Sequence, residues 1–279
     1  MPRFSQPLKS LAKTLSFKGS ISFLVTVGLT AGLAIKAHAA SPETAPPQLK
    51  ETLSQIDAAA NRKDVQAVMQ FYSANFKNSD GLSRSAMEKA LSELWKRYPQ
   101  LNYRTEIKDW KQEGNGIVAE TVTSITGTQQ SDGMTIRLES NLRSRQRLEN
   151  QKIVQQDILG ETTKQMSGAN PPNIDVQLPE QVRPGQQFNF DVIVKEPLGD
   201  DLLLGAALEE PTKPDLYTKP SKFDLDLLPA GGIFKVGKAP MKPANHWVSA
   251  VLIREGGITM ITQRLQIVDR PSASRTPAK

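Results

Sequence analysis

The chain has 279 residues, a formal net charge of +6 and no cysteine. Without cysteine, the protein cannot have disulfide bonds, thiolate catalysis, cysteine-ligated zinc or a lipidated cysteine anchor. The length favours two domains.

The first 39 residues match a secretory signal. Four basic residues precede an apolar run at 21–35, and Ala37-His38-Ala39 has the small-x-small pattern of a cleavage site. The apolar run has about 15 residues, whereas a membrane-spanning helix needs roughly 18 to 20. We therefore predict a signal peptide at 1–39 and export to the periplasm or the exterior, with a retained N-terminal membrane anchor as the alternative.

Cleavage would change the charge of the protein. Residues 1–39 hold five of the 35 Lys and Arg residues and no acid, so 30 basic residues would remain against 29 acidic ones. A nearly neutral chain offers no overall electrostatic attraction for nucleic acid. We predict no nucleic-acid partner, and membrane contact only through an uncleaved signal.

Three helices are predicted after a Pro-rich leader at 40–47. Apolar residues recur at helical spacing from residue 48, which predicts the first helix. Asp64 is the predicted N-cap of the second helix. Ser85, with an acidic residue three positions later, fits a capping box for the third. Residues 75–81 are predicted to be a loop.

Residues 101–161 predict one curved antiparallel sheet of about four long strands. Leu101 and Tyr103 alternate with polar residues, a pattern that buries one face of a strand. By the same alternation, Met134 should face inward from the third strand. The fourth strand is predicted at 152–159. Turn sequences separate the strands at 113–116, 131–133 and 149–151.

This order of elements is similar to the nuclear transport factor 2-like superfamily, in its SnoaL-like branch. The resemblance covers residues 48–161 and is closest at 64–68, Phe71-Tyr72, Asp80-Gly81 and 147–154. It implies an α+β cone, with three helices on a curved antiparallel sheet and a pocket at the open end. Members include isomerases, dehydratases, epoxide hydrolases and domains that only bind, so the fold alone does not settle function.

Enzymes of this superfamily use Asp, His, Tyr or Arg inside the cone. After cleavage one histidine would remain, His246, and it lies outside the cone, so a histidine-dependent mechanism there is excluded. The candidate ligand-binding residues are Tyr72, Tyr103, Gln155 and Asp157. In an enzyme, Asp157 would be the base and a tyrosine the oxyanion donor. Alternation along the last strand also allows Gln155 and Asp157 to face solvent. No cofactor and no metal site are predicted.

Three arginines share the outward face of the third strand. Arg143, Arg145 and Arg147 are spaced two residues apart and are the candidate partner-binding residues. They would bind an acidic protein surface or the acidic loops of the second domain, such as Asp200-Asp201 and Glu209-Glu210. The alternative is a solvated face whose arginines pair across strands. The acids available for such pairs are Glu106, Glu120 and Glu139.

The second domain follows a linker predicted at 167–172. Short alternating runs separated by Pro and Gly predict an all-β, immunoglobulin-like sandwich of about seven strands at 173–268. Trp247 is its predicted core aromatic, and His246 is predicted to lie at its rim. Residues 269–279 are predicted to be a disordered basic tail.

These observations predict an exported, non-catalytic protein of the cell envelope that binds a ligand or another protein. The ligand would be small and hydrophobic, and the protein partner would be a different protein or a second copy meeting the sheet face. The alternative function is a cofactor-independent isomerase or dehydratase-type enzyme acting on a small hydrophobic substrate in the cone. The sequence contains no nucleotide-binding loop, metal-ligand cluster or nucleophile elbow.

Overall fold

The computed structural model of the protein describes residues 41–131, 133–199, 201–219, 221–228 and 231–270. The predicted signal at 1–39, Asp200 and most of the predicted tail, 271–279, lie outside the described residues. Within the described ranges, no helix is both long enough and apolar enough to cross a membrane.

The three predicted helices are present. They are α1 (Pro47–Asn61), α2 (Val65–Gln70) and α3 (Arg84–Arg97). Asp64 caps α2 as predicted, because its carboxylate accepts a hydrogen bond of 2.9 Å from the backbone N–H of Ala67. The predicted cap of α3 is wrong: Ser83 accepts from Ala86 N–H, while Ser85 lies inside the first turn.

The first half of the chain contains five strands. They are β1 (Tyr72–Asn78), β2 (Gln100–Glu113), β3 (Gly116–Ser131), β4 (Met134–Glu149) and β5 (Lys152–Gly168). Strands β2 to β5 are antiparallel neighbours in sequence order, as predicted. Their lengths of 14 to 17 residues exceed the usual five or six, so the sheet must twist and bend.

Three sequence predictions in this region are wrong in detail. Most of the predicted loop at 75–81 belongs to β1, which pairs in parallel with the first half of β5. The predicted fourth strand does not end at 159 but continues to Gly168. Met134 is 44% exposed, because it begins the strand at a tight turn beyond the buried part of the sheet.

The helices pack on one face of the long strands. Trp95 of α3 is buried with Leu101 and Tyr103 of β2, while Leu49 of α1 packs with Ile153 of β5 in a second apolar cluster. The inward alternation predicted for β2 is confirmed, since Leu101 and Tyr103 are 7% and 8% exposed.

Eight further strands follow. They are β6 (Ile174–Gln177), β7 (Gln181–Val182), β8 (Gln187–Val194), β9 (Leu204–Pro211), β10 (Asp226–Leu227), β11 (Gly232–Lys238), β12 (Ala244–Arg254) and β13 (Gly257–Ile267). A three-stranded sheet in the order β11-β8-β6 shares one apolar core with β12 and β13. Phe188 and Val192 enter this core from one side, and Leu252 and Leu265 enter it from the other.

One hydrogen-bonded sheet crosses the predicted domain limits. Strand β13 pairs antiparallel with the second half of β5, from Gln263 opposite Thr162 to Gly257 opposite Gly168. The resulting sheet has the order β10-β9-β12-β13-β5-β4-β3-β2. The first two residues of the predicted linker, 167–168, are therefore strand. The domain limits stay predictions, but the described chain is mostly β and its largest sheet is continuous.

Candidate functional site

A buried ion pair joins the turn after β1 to strand β13. Asp80 follows β1 in a tight turn, in which its backbone N–H donates to the side chain of Asn78 at 2.9 Å and Gly81 has a φ of +79°. Arg264 is on β13, on the face opposite core residues Ile261 and Leu265. Arg264 donates two hydrogen bonds to Asp80, of 2.8 and 2.7 Å, and both side chains are 0% exposed.

Three more side chains complete this buried cluster. Glu161 of β5 accepts from Arg264 at 3.1 Å and from the indole N–H of Trp247 at 2.9 Å. Tyr217 donates its hydroxyl to Asp80 at 2.5 Å, and its ring meets Trp247 edge-on at 4.9 Å. We call Asp80, Glu161, Tyr217, Trp247 and Arg264 the junction cluster.

The environment of the junction cluster keeps Arg264 charged and Tyr217 neutral. Burial disfavours the guanidinium, but the hydrogen bonds to Asp80 and the nearby charge of Glu161 outweigh it and raise the pKa of Arg264. Burial also raises the pKa of Tyr217, and the two carboxylates raise it further. Both terminal nitrogens of the Arg264 guanidinium bond to carboxylates, while its Nε is buried without a partner. The arrangement is suited to holding β5, β13 and the turn after β1 together.

The sequence-predicted site residues do not converge in one place. On β5, Gln156 and Ile158 are each 5% exposed, while Gln155 is exposed and Asp157 is half-buried on the other face. Asp157 accepts hydrogen bonds of 3.2 Å from Gln155 and lies opposite Arg145 in the sheet.

The two candidate tyrosines lie among the helices. The hydroxyl of Tyr103 accepts from the indole N–H of Trp95 at 2.9 Å, and the ring of Tyr72 packs edge-on against Phe76. Burial raises the pKa of both tyrosines to about 12, and the hydrogen bond from Trp95 partly offsets it for Tyr103. At neutral pH both are therefore neutral amphipathic core residues.

A second polar group lies on the inner face of the sheet. Thr121, Ser144, Gln146 and Gln156 are 0% to 5% exposed, and the hydroxyls of Thr121 and Ser144 are 3.1 Å apart. Gln146 and Gln156 lie directly opposite each other, and the side-chain carbonyl oxygen of each is buried without a hydrogen-bond partner. Buried acceptors of this kind call for a water molecule or a ligand group. We call these four residues the inner polar patch.

The three outward arginines of β4 pair with acids of the same chain. We call Arg143, Arg145 and Arg147 the arginine row. Arg145 donates to Glu120 at 2.6 and 3.1 Å, so the predicted pairing with Glu120 is confirmed. Arg147 pairs with Glu113 and Glu149. Arg143 pairs at 2.8 Å with Glu180, which lies beyond the predicted linker but is not one of the loop acids considered from the sequence.

His246 lies beside a carboxylate. Its Nδ1 is 2.8 Å from Glu209. Trp247 next to it is buried, but the prediction that it is the core aromatic of the sandwich is wrong. The sandwich core takes Val248 and Leu252 from β12, whereas Trp247 is on the opposite face of that strand, in the junction cluster. Within the described residues, no group of three or more His, Asp or Glu side chains is arranged to hold a metal ion.

A shallow, open groove of about 500 Å³ lies beside β6 and β8.

Sequence reasoning noted Asp80-Gly81 but missed Arg264, Glu161 and Tyr217. Arg264 stands in the run 261–267, where apolar side chains fill three of the four alternate positions on the other face. A lone arginine on the opposite face of such a strand was the available signal. The inner polar patch was also available from alternation, because outward arginines at 143, 145 and 147 place Ser144 and Gln146 inward.

Comparison with known proteins gives one family match. A family described as a domain of unknown function (DUF8623) matches residues 169–268. That description names no fold, so the immunoglobulin-like assignment stays a prediction. A comparison with curated proteins found no match.

Solved structures similar to the chain cover about two fifths of it. Bd1075 of Bdellovibrio bacteriovorus is 14% identical over 39% of this chain and 38% of its own, with a TM-score of 0.29. A protein of Catenulispora acidiphila with a ketosteroid isomerase-like fold, solved with trimethylamine, is 13% identical over 39% and 83%, with a TM-score of 0.28. An NTF2-like protein of unknown function from an Exiguobacterium species is 16% identical over 40% and 95%, with a TM-score of 0.29.

The chain therefore spans well under half of Bd1075 but most of the two shorter proteins. All three TM-scores are too low for these similarities to transfer a function. The order of helices and strands, rather than these similarities, supports the predicted cone.

Proposed function

We propose that the protein is an exported, non-catalytic interaction protein, in which a nuclear transport factor 2-like cone carries an immunoglobulin-like sandwich that binds another protein. The observation that carries this proposal is the distribution of exposed apolar side chains. Eight large hydrophobic residues are exposed in the described ranges, and seven of them belong to residues 202–241. The seven are Leu202, Leu204, Leu225, Leu227, Phe234, Val236 and Met241.

Three of these residues lie on two edge strands, β10 and β11. Strand β10 pairs only with β9, and strand β11 pairs only with β8, among the described strands. Leu227 is 58% exposed on β10, and Phe234 and Val236 are 56% and 70% exposed on β11. Single exposed hydrophobic residues on a surface are ordinary, but the concentration of seven of the eight in one segment of the described chain supports a binding surface there. A free edge also offers unpaired N–H and C=O groups to an added strand.

The charged and polar groups give less support to catalysis. Asp157 lies on the other face of β5 from buried Gln156, and Tyr103 is hydrogen-bonded to Trp95. An isomerase or dehydratase using Asp157 as base would need that carboxylate inside the cone beside a tyrosine. The acids of the junction cluster are engaged with Arg264, which leaves them without the proton-transfer role that a base requires.

The test is site-specific photo-crosslinking in the living cell, with the probe amino acid at Val236 and, as control, at Arg104. Arg104 is also an exposed residue on an edge strand, but β2 carries no apolar group there. We expect crosslinked protein at Val236 in at least several-fold excess over Arg104. Equal crosslinking at the two positions would contradict the proposal.

A second candidate function is favoured by the inner polar patch. Its two unpaired carbonyl oxygens could accept hydrogen bonds from a small neutral molecule bound in the cone. Native mass spectrometry of the protein purified without denaturation tests this. A bound small molecule that is lost in the Gln146→Leu, Gln156→Leu double variant would support it, and an unliganded mass would count against it.

A further inference from the structure

Strands β10 and β11 have complementary chemistry on matching faces. On β10, Leu227 lies opposite Leu204 of β9, and both are exposed on the outer face. Asp226 lies opposite buried Gly205, whose position contacts Leu228 and Leu252, so Asp226 is on the face toward the sandwich core. Strand β10 thus has leucine outside and an acid on the core side of its edge.

Strand β11 has the corresponding arrangement with a basic residue. Ile233 is 3% exposed and enters the sandwich core, and Lys235 is on the same face of the strand but exposed. Phe234 and Val236 are on the opposite, outer face. Strand β11 thus has large apolar residues outside and a lysine on the core side of its edge.

Neither Asp226 nor Lys235 forms an ion pair within the described part of the chain. No salt bridge of the described residues includes Asp226 or Lys235, although both are exposed. If β10 and β11 were neighbours in one sheet, Asp226 and Lys235 would share one face, and Leu227 would share the other with Phe234 and Val236. Opposite charges and apolar pairs on neighbouring strands stabilise a sheet. A pairing of β11 with another β11 would instead bring like-charged lysines together.

We propose that a second copy of this chain binds at these edges, with β10 of one copy pairing with β11 of the other. The inference rests on the proposed interaction function and names its partner. When both edges of each copy are used, two equivalent pairings form and the complex closes as a symmetric dimer. The pairing would bring Leu227 of one copy beside Phe234 and Val236 of the other, which supplies apolar burial at the interface.

The test exchanges charges between copies, using the protein purified as the cell processes it. Asp226→Lys alone places two basic side chains together at the pairing with Lys235, and Lys235→Glu alone places two acids together. We expect each variant alone to weaken dimerisation on the order of a hundredfold in sedimentation equilibrium, since each repelled charge pair has about a tenfold effect and each dimer contains two such pairs. In the mixed dimer of the two variants, one pairing is native and the other has its charges exchanged. Mixing should therefore restore dimerisation.

Cysteine crosslinking tests the same pairing without relying on charge. The chain has no cysteine of its own, so Leu227→Cys and Val236→Cys introduce unique thiols. Mixing the two variants should give a disulfide-linked heterodimer, whereas Leu227→Cys mixed with Arg104→Cys should not. A monomeric wild-type protein, failure of the mixture to recover, or a Val236→Cys homodimer forming in preference would overturn the proposal.

These outcomes separate the partner from the function. A monomeric protein that still crosslinks from Val236 to a different protein in the cell would overturn the second copy as partner and retain the interaction function. Crosslinking at Val236 no stronger than at Arg104 would overturn both the second copy as partner and the interaction function.

Discussion

Asp80 and Arg264 are 184 residues apart in sequence, yet two hydrogen bonds of 2.8 and 2.7 Å join them in the interior. One belongs to the turn after β1 and the other to β13, so the pair ties the helix-bearing half of the chain to the strands that follow it. Glu161 and Tyr217 complete the bonding of the pair from β5 and from the segment after β9.

Arg264→Met should destabilise the protein strongly, because Asp80 would be left buried without its cation. Breaking a buried pair from one side costs about 3–5 kcal/mol. Urea unfolding should show this loss, and Asp80→Asn combined with Arg264→Met should recover part of it. Glu93→Gln, which breaks an exposed pair with Lys96, should leave the unfolding midpoint unchanged. A small effect of Arg264→Met would mean that the pair does not hold the two halves together.

Stability should fall as the pH rises from about 10 to about 12. The pKa of Tyr72 and of Tyr103 is raised to about 12 in the folded protein, against an ordinary value of 10.0. The folded state then holds protons that the unfolded state has released, so stability is complete below pH 10 and is lost as the pH passes through the folded pKa. Urea unfolding across this pH range should show that Tyr72→Phe loses less free energy of unfolding than the wild-type protein. An unchanged slope would contradict burial of that hydroxyl.

Gly168→Ala should be far more damaging than Gly114→Ala. Both glycines have positive φ, +99° and +59°, so both variants carry backbone strain of about 1–3 kcal/mol. At Gly168 the added methyl would also lie 2.2 Å from the carbonyl oxygen of Gly256, whereas nothing lies within 4 Å at Gly114. Thermal unfolding should separate the two variants clearly. Similar midpoints would mean that β5 and β13 do not approach each other this closely.

Replacing both glutamines of the inner polar patch by leucine should change stability by less than about 1 kcal/mol or increase it. The two carbonyl oxygens are buried without partners, and removing an unpaired buried polar atom removes its desolvation penalty. Urea unfolding measures the effect. A loss above roughly 2 kcal/mol would show that bound water or a ligand satisfies these oxygens, and it would favour the second candidate function.

The protein recovered from cells should begin at Ala40. Ala37-His38-Ala39 fits the small-residue requirement of signal cleavage, and Ala39→Leu should block processing. Intact-mass measurement of both proteins distinguishes the two forms. Recovery of the wild-type protein from membranes with residues 1–39 still attached would support the alternative of a retained anchor.

The sequence predicted the local elements of the first half well, because each has its own signal. Asp64 caps a helix through its nearest backbone amides, and the alternation at Leu101 and Tyr103 reports burial of one strand face. The extension of β5 beyond residue 159 could not be predicted in this way. Residues 160–168 are polar or glycine except for Met166 and show no apolar alternation. They are strand because β13 and β4 bond to them from both sides.

The junction cluster was missed for a related reason. Apart from Arg264, its members have ordinary local settings, and only the pairing of β13 with β5 brings Arg264 to Glu161 and Asp80. The ion pairs of the arginine row likewise depend on residues distant in sequence, such as Glu180, which pairs with Arg143. Asp157 was a candidate base because alternation left two faces open, and the bulge in β5 puts Gln156 and Ile158 inward.

Because β5 pairs with both β4 and β13, shortening the chain has a specific consequence. A premature stop or a proteolytic nick after Gly168 would strip β13 away and leave residues 162–168 bonded on one side alone. The shortened product would retain three helices and four long strands, together with a bare β-edge that can recruit other chains into aggregates. Loss of the C-terminal portion is therefore expected to give insoluble protein and rapid clearance by quality-control proteases, rather than a free-standing half.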